Sequence, residues 1–137
     1  MSRRFGVLSL FTGAGGMDLG LEAAGFSTRL CVENDPAAIA TLAANRPQWQ
    51  ISRTCDAMEF ARNTKCALAD ARLGRSDITV LAGGPPCQPF SKAGYWTSGG
   101  PTRMSDPRAQ TIGAYLQIVD YVRPEVILFE NVAAFTY

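Results

Sequence analysis

The chain has 137 residues, 47% of them hydrophobic, and a formal net charge of +1, which is one domain's worth of sequence and enough to bury a core. Near-neutrality argues against a stand-alone nucleic-acid binder with a strongly basic face, and the absence of histidine excludes His-based triads and His-containing metal sites. The four cysteines, Cys31, Cys55, Cys66 and Cys87, include no CxxC pair, so zinc-type spacing is absent and no metal is expected.

Residues 5–10 form a short apolar run suited to a buried strand. It is too short for a signal-peptide core, and no apolar run approaches the ~20 residues needed to cross a bilayer; a cytoplasmic location is expected. The glycine cluster that follows opens a helix over 17–24, with Gly25 as its left-handed stop. Residues 28–33 read as a second strand. Asp35-Pro36 combines an N-cap with a first-turn proline and starts an alanine-rich helix that ends near Asn45, before Pro47.

Residues 51–54 suggest a third strand, 57–71 a helix and 77–82 a fourth strand. Cys31, in a strand-like run, and Cys66, in a helical one, are expected to be small buried hydrophobes. Residues 91–105 hold Gly94, Gly99, Gly100 and Pro101 without periodicity and read as a long loop, a length usually reserved for lids or disordered segments. Asp106-Pro107 repeats the helix-start signal. Behind it Ile112, Tyr115, Leu116, Val119 and Val122 recur at helical spacing, as one apolar face of a helix ending before Pro124. Residues 126–129 make a fifth strand that delivers Glu130 at its end. Strands alternating with helices predict an α/β domain over 1–137, doubly wound around a mostly parallel sheet of about five strands. The last strand is apolar and nothing in the remaining sequence covers it, so the sheet is expected to be incomplete at its C-terminal edge.

Three strand ends carry chemistry, and in α/β sheets ligands bind in the crevice outside the carboxyl ends of the strands. The turn Phe11-Thr12-Gly13-Ala14-Gly15-Gly16 allows a tight bend and close approach of a ligand to the backbone; the bland alternative is a tight connection and nothing more. A dinucleotide GxGxxG started from Gly13 would need glycine at position 18, where Asp18 stands, which disfavours ordinary NAD binding. Glu33, 20 residues after Gly13 and at the end of the second strand, can take both hydroxyls of a ribose. In Gly83-Gly84-Pro85-Pro86-Cys87-Gln88-Pro89-Phe90-Ser91, prolines fix the backbone around one thiol before any substrate arrives. Glu130 ends an apolar strand, where burial raises a carboxyl pKa and makes a usable proton donor, and Asn131 beside it can fix the loop by backbone hydrogen bonds. An inert loop cysteine and solvated or capping polar residues are the alternatives at these positions.

The glycine turn, Gly84-Pro85-Pro86-Cys87-Gln88-Pro89-Phe90-Ser91 and Glu130-Asn131-Val132 resemble, in order and spacing, the first, catalytic and glutamate motifs of the DNA (cytosine-5)-methyltransferases. The resemblance covers essentially the whole chain, since Glu33, Asp56 and Asp106-Pro107-Arg108 also fall where that family has cofactor and helix-start motifs. It implies a Rossmann-like fold that binds S-adenosylmethionine, and methyl transfer to C5 of a cytosine in DNA through a covalent Cys87 adduct. It implies that Phe11 stacks near the adenine, that Thr12, Gly13, Gly15, Gly16 and Pro85 frame the cofactor, and that Glu33 takes the ribose and Asp56 the adenine amino group. Glu130 would hydrogen-bond or protonate the ring N3, with Asn131 beside it. The target base must leave the duplex to be reached; Lys92, Tyr95, Trp96 and Arg103 suit a lid over phosphate and flipped base, with Ser91 and Arg108 as further DNA contacts.

That family continues beyond its glutamate motif with an arginine-containing motif, more strands, a target-recognition domain and a closing helix, none of which these residues match. Ala109-Gln110 also departs from the glycine common after the matching arginine. The expectation is therefore the catalytic part of a split methyltransferase, completed by a second chain that carries the target-recognition half. The alternatives are a remnant that binds S-adenosylmethionine without chemistry, or a nucleotide-binding or thiol-redox domain, against which Asp18 and the missing CxxC argue.

Overall fold

The computed structural model describes residues 5–86 and 110–132. Among them the elements are β1 (Gly6–Leu10), α1 (Gly16–Ala23), β2 (Ser27–Val32), α2 (Pro36–Asn45), α3 (Ala57–Arg62), α4 (Thr64–Asp70), a 3-10 turn (Arg75–Asp77), β3 (Val80–Gly83), α5 (Gln110–Val122) and β4 (Val126–Phe129). The strands form one sheet in the order β2-β1-β3-β4, and each neighbouring pair is parallel. This is the expected α/β architecture.

Alternation along the strands separates two faces, as the period of two requires. Leu8, Leu10, Leu30, Val32 and Leu81 pack with Phe60, Leu68, Tyr115 and Ile118 of α3, α4 and α5. Val7, Val80 and Ala82 face Met17 and Leu21 of α1, while Cys31 faces Leu42 of α2 and Trp49. Helices therefore cover both faces, and the sheet is doubly wound.

Several expected boundaries shift for local reasons. The run 51–54 contributes only an isolated parallel bridge, Cys31 to Ile51, because the chain turns away to let Asp56 cap α3. The helix expected over 57–71 divides at Asn63 (φ −129°, ψ 31°). There the buried Thr64 hydroxyl donates to the carbonyls of Phe60 (3.0 Å) and Ala61 (3.2 Å), so a side chain competes with the helical ladder. The strand expected from residue 77 begins at Val80, because the Asp77 carboxylate accepts from Gly74 N–H (2.7 Å) and closes the 3-10 turn.

On α5 the buried stripe is Ala114, Tyr115, Ile118 and Val122, and Leu116 is 59% exposed. Cys66 is exposed rather than buried, since α4 turns Thr64, Ala67 and Leu68 inward. At the sheet's edge Val126, Ile127 and Leu128 are 51%, 50% and 39% exposed among the described residues. No helix among these residues is long and apolar enough to cross a membrane.

Candidate active site

Register sets the carboxyl ends of the strands level. Val32, Leu10, Gly83 and Phe129 are partners across the sheet, so the next residues, Glu33, Phe11, Gly84 and Glu130, leave it side by side. The chain winds outward from β1 to β2 and then returns to β3 on β1's other side. The exits of β1 and β3 thus flank a topological switch point, where an open α/β sheet leaves a crevice.

At β1 the exit is a strained glycine turn. Phe11 has φ 54°, Gly13 φ 58° and Gly15 φ 88°, the left-handed region that an aromatic residue enters only when its surroundings impose it. Gly15 N–H donates to the Thr12 carbonyl (3.0 Å). A Cβ at Gly15 would lie 2.8 Å from the Trp49 ring and 2.9 Å from Leu42, whereas one at Gly13 or Gly16 would meet nothing within 4 Å among the described residues. One side of the turn is packed and the other is open. Trp49 is held in turn by Arg46, which lies 5.7 Å over its ring and pairs with Glu22 (3.0 Å).

Glu33 reaches this turn from β2. Its Oε2 accepts from Gly13 N–H (2.7 Å) and its Oε1 from Asn34 and Asp35 N–H (2.8 Å each). A carboxylate offers about four acceptor directions, so three backbone donors leave capacity for a ligand hydroxyl. Thr12 turns its side chain inward, with Oγ1 3.1 Å from Ser9 Oγ and 3.2 Å from the Ser9 carbonyl, so only its backbone is presented to the crevice. Phe11 packs, partly buried, against the core that contains Phe60 of α3. Asp56 caps α3, its Oδ1 accepting from Glu59 N–H (2.9 Å).

The other half of the rim joins β3 to β4. Glu130 N–H donates to the Gly83 carbonyl (3.1 Å), and a Cβ at Gly84 would lie 2.7 Å from Glu130 Oε2. Glycine at position 84 therefore lets the carboxylate lie against the neighbouring strand exit. Asn131 Nδ2 donates to the Pro85 carbonyl (3.3 Å), while its Oδ1 accepts from Val132 N–H (2.9 Å). Asn131 thus ties the β4 exit to the proline turn. Pro85 is buried, and Glu130 is exposed, not buried as its apolar strand suggests, because β4 is the edge strand.

Cys87, which follows that proline turn, lies outside the described residues, as do Ser91, Lys92, Tyr95, Trp96, Arg103 and Asp106-Pro107-Arg108. Among the described thiols Cys31 is fully buried, and burial, with the Asp18 charge adding to it, pushes its pKa up to about 12; it is no nucleophile. No group of three or more acidic, Cys or His side chains among the described residues can hold a metal ion.

Two contributors escaped the sequence reading. Tyr115 lies under the β3–β4 pair with its hydroxyl donating to the carbonyls of Leu81 (3.1 Å) and Leu128 (3.3 Å), and its ring stands edge-on to Phe129. Burial drives its phenol pKa upward. Helical spacing identified Tyr115 as apolar core and carried no sign of the hydroxyl's partners. The second is Asp18, buried beneath the glycine turn.

The family model of the C-5 cytosine-specific DNA methylases matches residues 5–136. The Type II methyltransferase M.AquIA of Picosynechococcus sp. is 38% identical over 126 residues, which are 92% of this chain and 48% of that protein. Among solved structures, one described as a prophage-encoded DNA modification methyltransferase of E. coli superposes with TM-score 0.75 at 29% identity, over 97% of this chain and 33% of its own. A variant of Spodoptera frugiperda DNMT2 shares the fold at TM-score 0.63 and 23% identity, over 96% of this chain and 37% of that one. The chain spans less than half the length of the curated relatives it matches.

Proposed function

The chain belongs to the C-5 cytosine-specific DNA methylase family, and on that premise we propose that it is the catalytic part of an enzyme that transfers a methyl group from S-adenosylmethionine to C5 of cytosine in DNA. The observation that carries this reading is the level rim, where Glu33 and the glycine turn adjoin Gly84-Pro85-Pro86 and Glu130. Donor and acceptor would then sit side by side across the switch point.

The cofactor fits the β1–β2 half. Among the described residues nothing fills the space over Gly13 and Gly16, and Glu33 keeps acceptor capacity for a ribose hydroxyl. Glu33 would hold the ribose, the backbone of residues 12–16 and Pro85 would frame the rest, and Phe11 and Asp56 would hold the adenine. Bound there, S-adenosylmethionine supplies an electrophilic sulfonium methyl group.

Cytosine C5 is a poor nucleophile until C6 is attacked. The Cys87 thiolate adds to C6, and Glu130 hydrogen-bonds or protonates N3 as charge develops in the ring. C5 would then accept the methyl group, with S-adenosylhomocysteine as the leaving group, and loss of the C5 proton to water would expel the Cys87 thiolate. Glu130 is exposed in this structure, and a bound base would enclose it. Asn131 ties the proline turn to the Glu130 exit. Ser91, Lys92, Arg103 and Arg108 would contact the DNA.

Target recognition we assign to a second chain, acting with this one in the cytoplasm. Among the described residues Val126 and Ile127 of the edge strand are half-exposed, and apolar sheet edges of this kind are normally covered, which fits a further surface docking there. Calorimetric titration of the chain with S-adenosylmethionine and with NAD tests the cofactor assignment. S-adenosylmethionine should bind and NAD should not; tighter binding of NAD would remove the methyltransferase reading.

A further inference from the structure

Beneath the glycine turn lies a buried polar network outside the reaction described above. Asp18, in the first turn of α1, is 1% exposed. Burying a carboxylate is costly unless it is hydrogen-bonded, and here both oxygens are used. Oδ2 accepts from Ser9 Oγ on β1 (2.7 Å) and Oδ1 from Thr28 Oγ1 on β2 (3.1 Å).

The two arms are unequal. Thr28 ends its arm in β2. Ser9 continues, since its Oγ donates to the carboxylate and leaves lone pairs facing Thr12 Oγ1 (3.1 Å), whose one proton it shares with the Ser9 carbonyl (3.2 Å). Thr12 is the residue between strained Phe11 and Gly13, and its N–H donates to the Val32 carbonyl one residue before Glu33. A chain of hydrogen bonds therefore runs from the buried carboxylate to the middle of the turn that faces the crevice.

We propose that Asp18 is a positioning residue for the cofactor, which through Ser9 orients Thr12 and holds the Phe11–Gly15 turn in its receptive shape before any ligand arrives. The proposal rests on the S-adenosylmethionine reading of the crevice and assigns a role to a residue that does not touch it. A fixed acceptor-only group at the foot of the chain makes Ser9 donate downward, so Ser9 can accept from Thr12 above. The Thr28 arm supports the same carboxylate without reaching the turn.

That asymmetry separates positioning from simple stability. S-adenosylmethionine and S-adenosylhomocysteine are titrated into the wild-type chain, Ser9→Ala, Thr28→Val and Asp18→Asn, with urea unfolding run on each. Ser9→Ala should raise Kd about tenfold, the size of one hydrogen bond's worth of orientation. Thr28→Val should cost comparable stability yet leave Kd within about twofold. Asp18→Asn, which keeps an oxygen for Ser9 and can turn its amide to Thr28, should retain most of the affinity. Asp18→Leu removes both arms and should bind no better than Ser9→Ala; if it does not fold, the Ser9 and Thr28 variants still decide. Equal Kd in wild type and Ser9→Ala, or equal losses in Ser9→Ala and Thr28→Val, would overturn the proposal and leave the cofactor reading standing. No binding by the wild-type chain would overturn both.

Discussion

At the β1–β2 end of the rim, Glu33 accepts from three backbone N–H groups and Asp18 ties Ser9 and Thr28 together under the turn. At the β3–β4 end, Glu130 is exposed, and among the described residues its strand exit is joined to the other by the Glu130 N–H bond to Gly83 (3.1 Å) and a 3.3 Å contact from Asn131 to Pro85. The first half is over-determined from within the chain, so its shape exists before a ligand binds. The second is braced from below by Tyr115 and lies open beside Val126 and Ile127. Binding and chemistry should therefore respond to different substitutions. On the proposed reading, the cofactor half of the crevice is preformed on one side of the sheet, and the Glu130 half is not.

The separation predicts opposite signatures in steady-state kinetics with a complementing chain present. Glu130→Gln should lower kcat about 10²–10⁴-fold, the usual range for losing a proton donor, with the Kd for S-adenosylmethionine unchanged. A rise in that Kd instead would show that the two halves are not independent. Glu33→Ala should do the reverse: Kd rises about 10–100-fold, since hydrogen bonds to a charged group are worth about 1.5–3 kcal/mol, while kcat at saturating cofactor falls little. Asn131→Ala should reduce kcat about tenfold through a misplaced proline turn, a 1 Å displacement being able to cost more than that. Its cofactor affinity should match wild type in the same calorimetric titration.

Smaller effects test the bracing. Tyr115→Phe removes the hydroxyl shared by Leu81 and Leu128 and should cost about 1 kcal/mol in urea unfolding, with cofactor Kd unchanged. Asp18 should add a pH signature. Burial raises its carboxyl pKa above 3.8 despite the Ser9 and Thr28 bonds. The folded state therefore holds its proton more tightly than the unfolded chain. Its favourable contribution is complete below the unfolded value and is lost as pH rises through the folded one. The stability of Asp18→Asn relative to wild type should thus be greater at pH 7 than at pH 4.5, and a difference independent of pH would contradict the assignment.

Much of this was legible in the sequence because it follows from local rules. Asp35-Pro36 starts α2, and Asp35 accepts from Ala37 and Ala38 N–H as an N-cap should. Glycines at 13 and 15 mark positive φ, and the apolar runs at 5–10 and 126–129 mark strands. The break at Asn63 was not legible, since it depends on a Thr64 hydroxyl that prefers the preceding carbonyls over solvent. Nor was the loss of the 51–54 strand, which is decided by the cap of the next helix. The family motifs had singled out Glu33, Glu130 and Asn131, which the structure sets at the carboxyl ends of the strands. They said nothing of Tyr115 or of the Ser9–Asp18–Thr28 cluster, whose partners lie 9 to 34 residues apart and meet only once the sheet has formed.

The most direct test of the central claim is covalent trapping on DNA that carries 5-fluorocytosine at the target, with S-adenosylmethionine and the complementing chain present. Fluorine at C5 cannot leave as a proton, so the reaction should stop after methyl transfer with the thiol still attached at C6. Peptide mapping should place the adduct on Cys87, and Cys87→Ser should give none, because an alcohol is a far weaker nucleophile than a thiolate. An adduct on Cys31, Cys55 or Cys66, or full methylation by Cys87→Ser, would contradict the account.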